Sequence, residues 1–220
     1  MTVLASPATT IPHPSTASGV RRSALLAGIL AGPLFVTTAT AQILTRDGFD
    51  LTRHPISLLA NGEHGWVQSA NFVVAGLLSL VFAYGVGPYL RGGRGTVAVP
   101  VLLTVHGVGL ITGGIFKADA AMGFPVGAPA GYPEQISTPG IIHAFAPLGF
   151  LALVAACLVL ARRFAAAGDR PAAILTVVVA VACFLLPLPF GPLHSVRLFV
   201  AVVLGFAWIT AFAVRLRSRA

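Results

Sequence analysis

The side chains able to do chemistry in this chain are few and unevenly placed. The densest group is Arg53-His54-Pro55-Ile56-Ser57, followed closely by Asn61, Glu63, His64, Gln68 and Asn71. His106, Asp119, His143 and His194 are spread along the remainder. Imidazole and carboxylate together suit zinc, and three such ligands plus a water make a hydrolytic centre. His106, His143, His194 and Asp119 are the candidate ligand set for that chemistry. A second chemistry is recognition. Arg53, His54, Gln68, Asn71 and His143 supply hydrogen-bond donors for a lipid headgroup, a lipid-linked sugar or a small polar molecule. A third is proton relay through His106, a titratable group inside an apolar segment. Haem ligation by His106 with His143 fits worst. Their depths differ by about 10 Å at the helical rise, and two axial ligands must face each other across one haem.

Whatever holds these residues is built of membrane-length apolar blocks. The chain has 220 residues, 56% of them apolar and 9% charged. A soluble domain carries about 25% charged residues. The sequence predicts an all-α integral membrane bundle of six transmembrane helices. They cover residues 23–44, 66–90, 96–116, 141–160, 171–190 and 194–214. Each is long enough, or nearly so, to cross a hydrocarbon core of about 30 Å. Residues 1–22 read as a disordered tail, 23–214 as the transmembrane domain, and 215–220 as a basic cytoplasmic tail. The first block also fits a signal peptide, because Arg21-Arg22 precede it and Ala39-Thr40-Ala41 resembles a cleavage site. Gly32-Pro33 predicts a kink, and Thr37, Thr38, Thr40 and Gln42 predict an inward-facing outer half. In the second block Gln68, Asn71, Ala75, Gly76 and Ser79 share one small, polar face, which predicts inward packing. Gly109-x-x-x-Gly113 predicts a close helix approach. Cys157 and Cys183 predict two buried thiols.

The net charge of +8 invites a nucleic-acid reading, which the distribution of charge excludes. The basic residues cap the ends of apolar blocks instead. Arg21, Arg22, Arg91, Arg94, Arg162, Arg163, Arg170, Arg215, Arg217 and Arg219 fall on one set of flanks. Arg46, Arg53, Lys117 and Arg197 fall on the alternate set. The positive-inside rule puts the first set, and with it both termini, in the cytoplasm. The loops at 45–65 and 117–140 then lie outside, with most of the acids and His54, His64, His143 and His194 at or near that surface. The second loop, about 24 residues long, exceeds an ordinary connection and reads as functional, a lid or mobile. Pro55 and Ser57 predict a stiffened, capped helix start, and Arg53 predicts an ion pair with Asp47, Asp50 or Asp119.

Arg53-His54-Pro55-Ile56-Ser57, Gly65-Trp66-Val67-Gln68 and Asn71-Phe72 with Gly76 resemble a family of prokaryotic polytopic membrane proteins, the domain-of-unknown-function family 998. Phe116-Lys117-Ala118-Asp119, Gly140-Ile141-Ile142-His143 and Ala31-Gly32-Pro33-Leu34 are similar too. The resemblance covers residues 23–214. It implies a six-helix membrane protein with a retained first helix, and it brings no activity and no catalytic residues. The scattered His and Asp are loosely similar to ceramidase-like membrane hydrolases, but the paired His-x-x-x-His of those enzymes is absent.

The expectation is therefore a multi-pass protein of a bacterial inner membrane, since the composition suits a GC-rich bacterial genome. Membrane lipids are its expected partners, and nucleic acid is not. Its expected site is an extracytoplasmic polar pocket formed by Arg53, His54, Gln68, Asn71, His106, Asp119, His143 and His194. It would bind a lipid headgroup or small polar ligand. Alternatives are a metal-dependent hydrolase of lipid-like substrates, with zinc as the possible cofactor, and a structural membrane protein without catalysis.

Overall fold

The computed structural model describes residues 16–219. Seven α-helices are formed among them: α1 Thr16–Thr45, α2 Gly65–Val86, α3 Ala98–Ile115, α4 Thr138–His143, α5 Pro147–Ala166, α6 Arg170–Leu185 and α7 His194–Arg217. The long helices close into a ring. α1 packs on α2, α2 on α3, α3 on α5, α5 on α6, α6 on α7, and α7 returns to α1. Five spans are long and apolar enough to cross a membrane, with α4 and α5 counted as one. The chain is thus an all-α, multi-pass membrane protein.

Proline sets two departures from the expected blocks. The fifth block ends early: α6 stops at Leu185 after 16 residues, and Pro187 and Pro189 follow. Proline lacks the N–H that would continue the ladder and disfavours helix in the residue before it. At about 1.5 Å per residue α6 is about 24 Å long, short of the core thickness. The fourth block divides into α4 and α5 at Pro147, which cannot donate to the carbonyl of His143. The N–H of Ala146 takes that carbonyl instead, at 2.9 Å. Ser137 caps α4 by accepting from the Gly140 N–H at 3.1 Å.

Residues 16–22, expected in the tail, belong to α1, while residues 1–15 lie outside the described residues. Residues 215–217 likewise extend α7. Pro33 sits inside α1, which continues through it. Thr37 faces outward and donates to the Pro33 carbonyl at 2.7 Å, so the expected inward set there reduces chiefly to Gln42. The inward face of α2 is as expected: Gln68, Asn71, Ala75, Gly76 and Ser79 are all buried. Cys157 and Cys183 are buried free thiols.

Glycine sets the helix spacing. A Cβ on Gly109 would lie 2.7 Å from the Gly149 Cα, and one on Gly149 would lie 2.8 Å from the Gly109 Cα. The backbones of α3 and α5 therefore touch there. Gly76 and Gly107 do the same for α2 and α3, each against the other's carbonyl oxygen. Gly113 does not follow this pattern, since its nearest neighbour would be Ala146 Cβ at 3.5 Å. Only the first glycine of the expected pair is at a helix crossing.

The two ends of the bundle are tied differently. At one end Arg163 donates to the carbonyls of Leu90 (2.8 Å) and Arg94 (3.2 Å). Asp169 caps α6 through the Ala172 N–H and pairs with Arg215 of α7. The Arg215 hydrogen bond, with the Ala172 N–H, holds the Asp169 carboxyl below its ordinary value of 3.8. A depressed carboxyl stabilises the fold above its unfolded value, and that contribution is lost as pH falls through the folded one. Thermal unfolding in detergent should therefore be flat from pH 7 to 5 and decline below about pH 4. Asp169→Asn should remove part of that decline. An unchanged acid limb would show that the pair contributes nothing. Gly149→Val should cost about 1–3 kcal/mol by overpacking the α3–α5 crossing, read as a lower Tm.

Candidate functional site

The eight candidate residues fall into separate settings. Gln68 and Asn71 belong to an amide cluster between α1 and α2. Gln42 Nε2 donates to Gln68 Oε1 at 2.8 Å, Asn71 Nδ2 donates to the same oxygen at 3.3 Å and to the Phe35 carbonyl at 3.0 Å. All three side chains are buried. Among the described residues, Gln42 Oε1, Gln68 Nε2 and Asn71 Oδ1 have no partner. In a low-dielectric interior such bonds fix helix register, and each unpaired group carries a desolvation cost.

Arg53 and His54 form a clasp between the two long loops. His54 is 2% exposed. Its Nδ1 accepts from the Asp50 N–H at 2.9 Å, so the ring proton sits on Nε2, which donates to the Met122 carbonyl at 3.0 Å. The ring lies 5.3 Å from Phe49 and 5.6 Å from Phe124 between centroids. Arg53 Nη2 donates to the same Met122 carbonyl at 3.2 Å, and the Arg53 carbonyl accepts from Ser195 Oγ at 2.9 Å. The expected Arg53 ion pair is not made. Among the described residues the one salt bridge is Arg215–Asp169. Thr52 takes the Asp50 carboxylate instead, through hydroxyl and N–H, and holds its pKa below the ordinary value. Asn61 Nδ2 adds a bond to the Ala118 carbonyl at 3.0 Å. Arg46 donates to the carbonyls of Leu59 and Asn61 and lies over the Phe124 ring at 5.4 Å. The short 3-10 helix Ile56–Ala60 follows Pro55 with no side-chain cap, so Ser57 does not serve as one.

His106 and His143 are brought together at one cavity. It has a volume of about 290 Å³ and lies beneath the 3-10 helix, between α3, α5, α6 and α7. Its wall is mostly apolar: Phe72, Leu110, Gly113, Pro147, Phe150 and Val202 among others. Leu151 and Phe184 also line it and are themselves exposed, so the cavity reaches the lipid-facing surface between α5 and α6. His106 is 2% exposed; its Nδ1 meets the Gly149 carbonyl at 3.2 Å, and its Nε2 has no partner among the described residues. The His143 Nδ1 meets the Phe116 carbonyl at 2.8 Å.

A family model described as "Protein of unknown function (DUF998)" matches residues 29–215. The chain belongs to the DUF998 family. No curated protein and no solved structure matches it.

In this DUF998 protein the four candidate zinc ligands do not converge. Asp119 accepts the Ser137 N–H at 3.0 Å, with Gly140 packed so closely that a Cβ there would lie 2.1 Å from Asp119 Oδ2. The His194 Nε2 meets the Pro187 carbonyl at 2.8 Å. Among the described residues, no three His, Cys, Asp or Glu side chains are grouped to hold a metal. Asp119 and the His194 Nε2 are engaged by backbone groups, whereas His106 and His143 use only Nδ1 in that way. The sequence reading missed most of the cavity wall. Phe72, Pro147, Phe150, Cys183 and Val202 come from four helices, and apolar residues give no signal of a cavity in a chain made of them.

His54→Phe keeps the ring's packing but leaves the Asp50 N–H without its acceptor and the Met122 carbonyl with Arg53 as its remaining side-chain donor. A loss of about 1–3 kcal/mol is expected, with faster hydrogen exchange at Asp50 and faster proteolysis in residues 117–137. Unchanged exchange at both loops would show that His54 does not join them.

Proposed function

We propose that this DUF998 protein binds an amphipathic, lipid-like ligand in the cavity between α3, α5, α6 and α7, at its extracytoplasmic side. The observation that carries the reading is the cavity itself: an apolar chamber that reaches the lipid-facing surface and contains two imidazoles. An apolar body suits the wall, and a polar group suits the ring nitrogens. This narrows the expected headgroup pocket. The polar loops act as a roof over the ligand, and the apolar chamber takes its chain.

The orientation belongs to the same proposal. Six spans, with α6 as a short one, would leave both termini in the cytoplasm of a bacterial cell whose inner membrane holds the protein. The Arg-rich flanks support it. The burial of Leu25, Ala31, Phe35 and Ala39 in α1 supports a first helix that is retained. A second reading, a structural membrane protein, draws support from the candidate side chains already bonded to backbone carbonyls.

Native mass spectrometry of the detergent-solubilised protein separates the two. Ligand binding predicts a retained lipid adduct, and Gly113→Phe should reduce it by about tenfold, a cost of about 1.4 kcal/mol. The new Cβ would sit in ordinary contact with Ala146 and its ring would fill the chamber. A wild-type protein free of lipid adducts, with a Tm that added lipids leave unchanged, would favour the structural reading. Cysteine labelling at residue 130 from outside intact cells tests the orientation; labelling only after lysis would reverse it.

A further inference from the structure

The two cavity histidines constrain the ligand further than the cavity's shape does. In each, Nδ1 lies within hydrogen-bond distance of a backbone carbonyl: Gly149 for His106 at 3.2 Å and Phe116 for His143 at 2.8 Å. A carbonyl oxygen only accepts, so Nδ1 must carry the proton in both rings. In an uncharged imidazole Nε2 is then a bare lone pair. Among the described residues the His106 Nε2 is buried without a partner, and the His143 Nε2 has none either. The cavity wall contains no carboxylate that would partner an imidazolium. It offers few other polar groups: Ser57 is the one side-chain hydroxyl, and Cys183 directs its thiol to the Ala201 carbonyl at 3.4 Å.

The chamber thus offers acceptors where its occupant needs donors. A carboxylate or phosphodiester brings only acceptors, and either would place lone pair against lone pair and bury a charge among apolar walls. A hydroxyl brings a proton and no charge. Resting on the ligand reading above, we infer that the cavity selects an uncharged lipid alcohol, whose hydroxyl donates to Nε2 of His143 or His106, over an anionic lipid of the same chain.

The placement of the rings fits such a molecule. His143 stands at the loop end, its Cε1 3.8 Å from the position of a Cβ on Gly113. His106 lies seven residues earlier on α3, about 10 Å deeper at the helical rise. A hydroxyl at the mouth meets His143 while the chain runs inward. A second hydroxyl, or a water carried in with the lipid, meets His106. Lateral access past Leu151 and Phe184 suits a molecule already dissolved in the bilayer.

The experiment is an equimolar competition of oleyl alcohol against oleate on the full-length, detergent-solubilised protein at pH 7.5, read by native mass spectrometry. The alcohol adduct should exceed the carboxylate adduct by about tenfold or more, the worth of one satisfied buried acceptor. His143→Leu and His106→Leu, tested separately, should each reduce that ratio. His143→Leu keeps the test open should His106→Leu, which removes the side-chain bond to the Gly149 carbonyl from the α3–α5 crossing, fail to fold. Oleate bound as well as the alcohol, or a preference unchanged in every folded variant, overturns the inference and leaves the cavity a general lipid site. Neither molecule bound overturns the ligand reading itself. Nitrogen-15 spectra of labelled histidine give a readout independent of affinity. Both rings should be Nδ1–H tautomers, with the His143 Nε2 signal moving when the alcohol binds. An Nε2–H tautomer or an imidazolium at His143 also overturns it.

Discussion

The contact of two bare backbones, Gly109 of α3 against Gly149 of α5, governs the rest of this bundle. No side chain separates the helices there, so the Gly149 carbonyl comes within reach of His106. Beyond the crossing the helices diverge. Gly113, one helical turn further along α3, meets nothing closer than ordinary van der Waals contact, and the space it leaves becomes the cavity. One spacing thus produces a sealed crossing and an open chamber within about 6 Å of each other along the helix. Without a hydrophobic drive between helices in lipid, such small-residue contacts supply much of the association energy. The site therefore depends on the same atoms that hold α3 to α5.

Proline supplies the second constraint. A continuous helix through residue 147 would carry His143 along the same face as its neighbours. Pro147 breaks the ladder, and the turn between α4 and α5 sets the imidazole against the Phe116 carbonyl at the end of α3. Pro187 and Pro189 end α6 in the same way and bring Pro187 and Leu188 to the cavity rim. In hydrocarbon each freed backbone group needs a partner, and non-helical backbone survives only where protein or water supplies one. Here the carbonyls of Phe116, at the end of α3, and Pro187, past the end of α6, are each met by a histidine ring. The histidines are as much the complement of irregular backbone as they are candidate ligands.

The apolar blocks and the polar face of α2 were legible because each rests on a period or a length that hydropathy reveals. Gln68, Asn71 and Ser79 had to face inward, since lipid offers them nothing. The site was less legible. His106 was recognisable as an intramembrane titratable group, but its partner, a backbone carbonyl of another helix, has no letter in the sequence. His54 read as a ligand contact; in the structure its ring lies by Phe49 and Phe124 and its two nitrogens face backbone groups. Asp119 read as a metal ligand, and in the structure its carboxylate accepts the Ser137 N–H and ties the loop. In each case the sequence displayed the side chain and concealed the main chain it serves. The chamber was invisible for a different reason: its wall is written in the same apolar alphabet as the rest of the bundle.

The two buried polar systems differ in what they can do. Gln42, Gln68 and Asn71 satisfy one another in part and hold α1 to α2, with the Phe35, Phe72 and Phe206 rings next to them. Phe72 also forms part of the cavity wall. An amide carries a donor and an acceptor on the same group and can be satisfied by another amide. A histidine whose Nδ1–H is committed to a carbonyl has only an acceptor left, and a second such histidine cannot complement it. Two like groups at one cavity cannot close on each other, so the complement must come from a water or a ligand. That difference in chemistry, rather than any difference in burial, makes the histidine chamber the better candidate for a functional site.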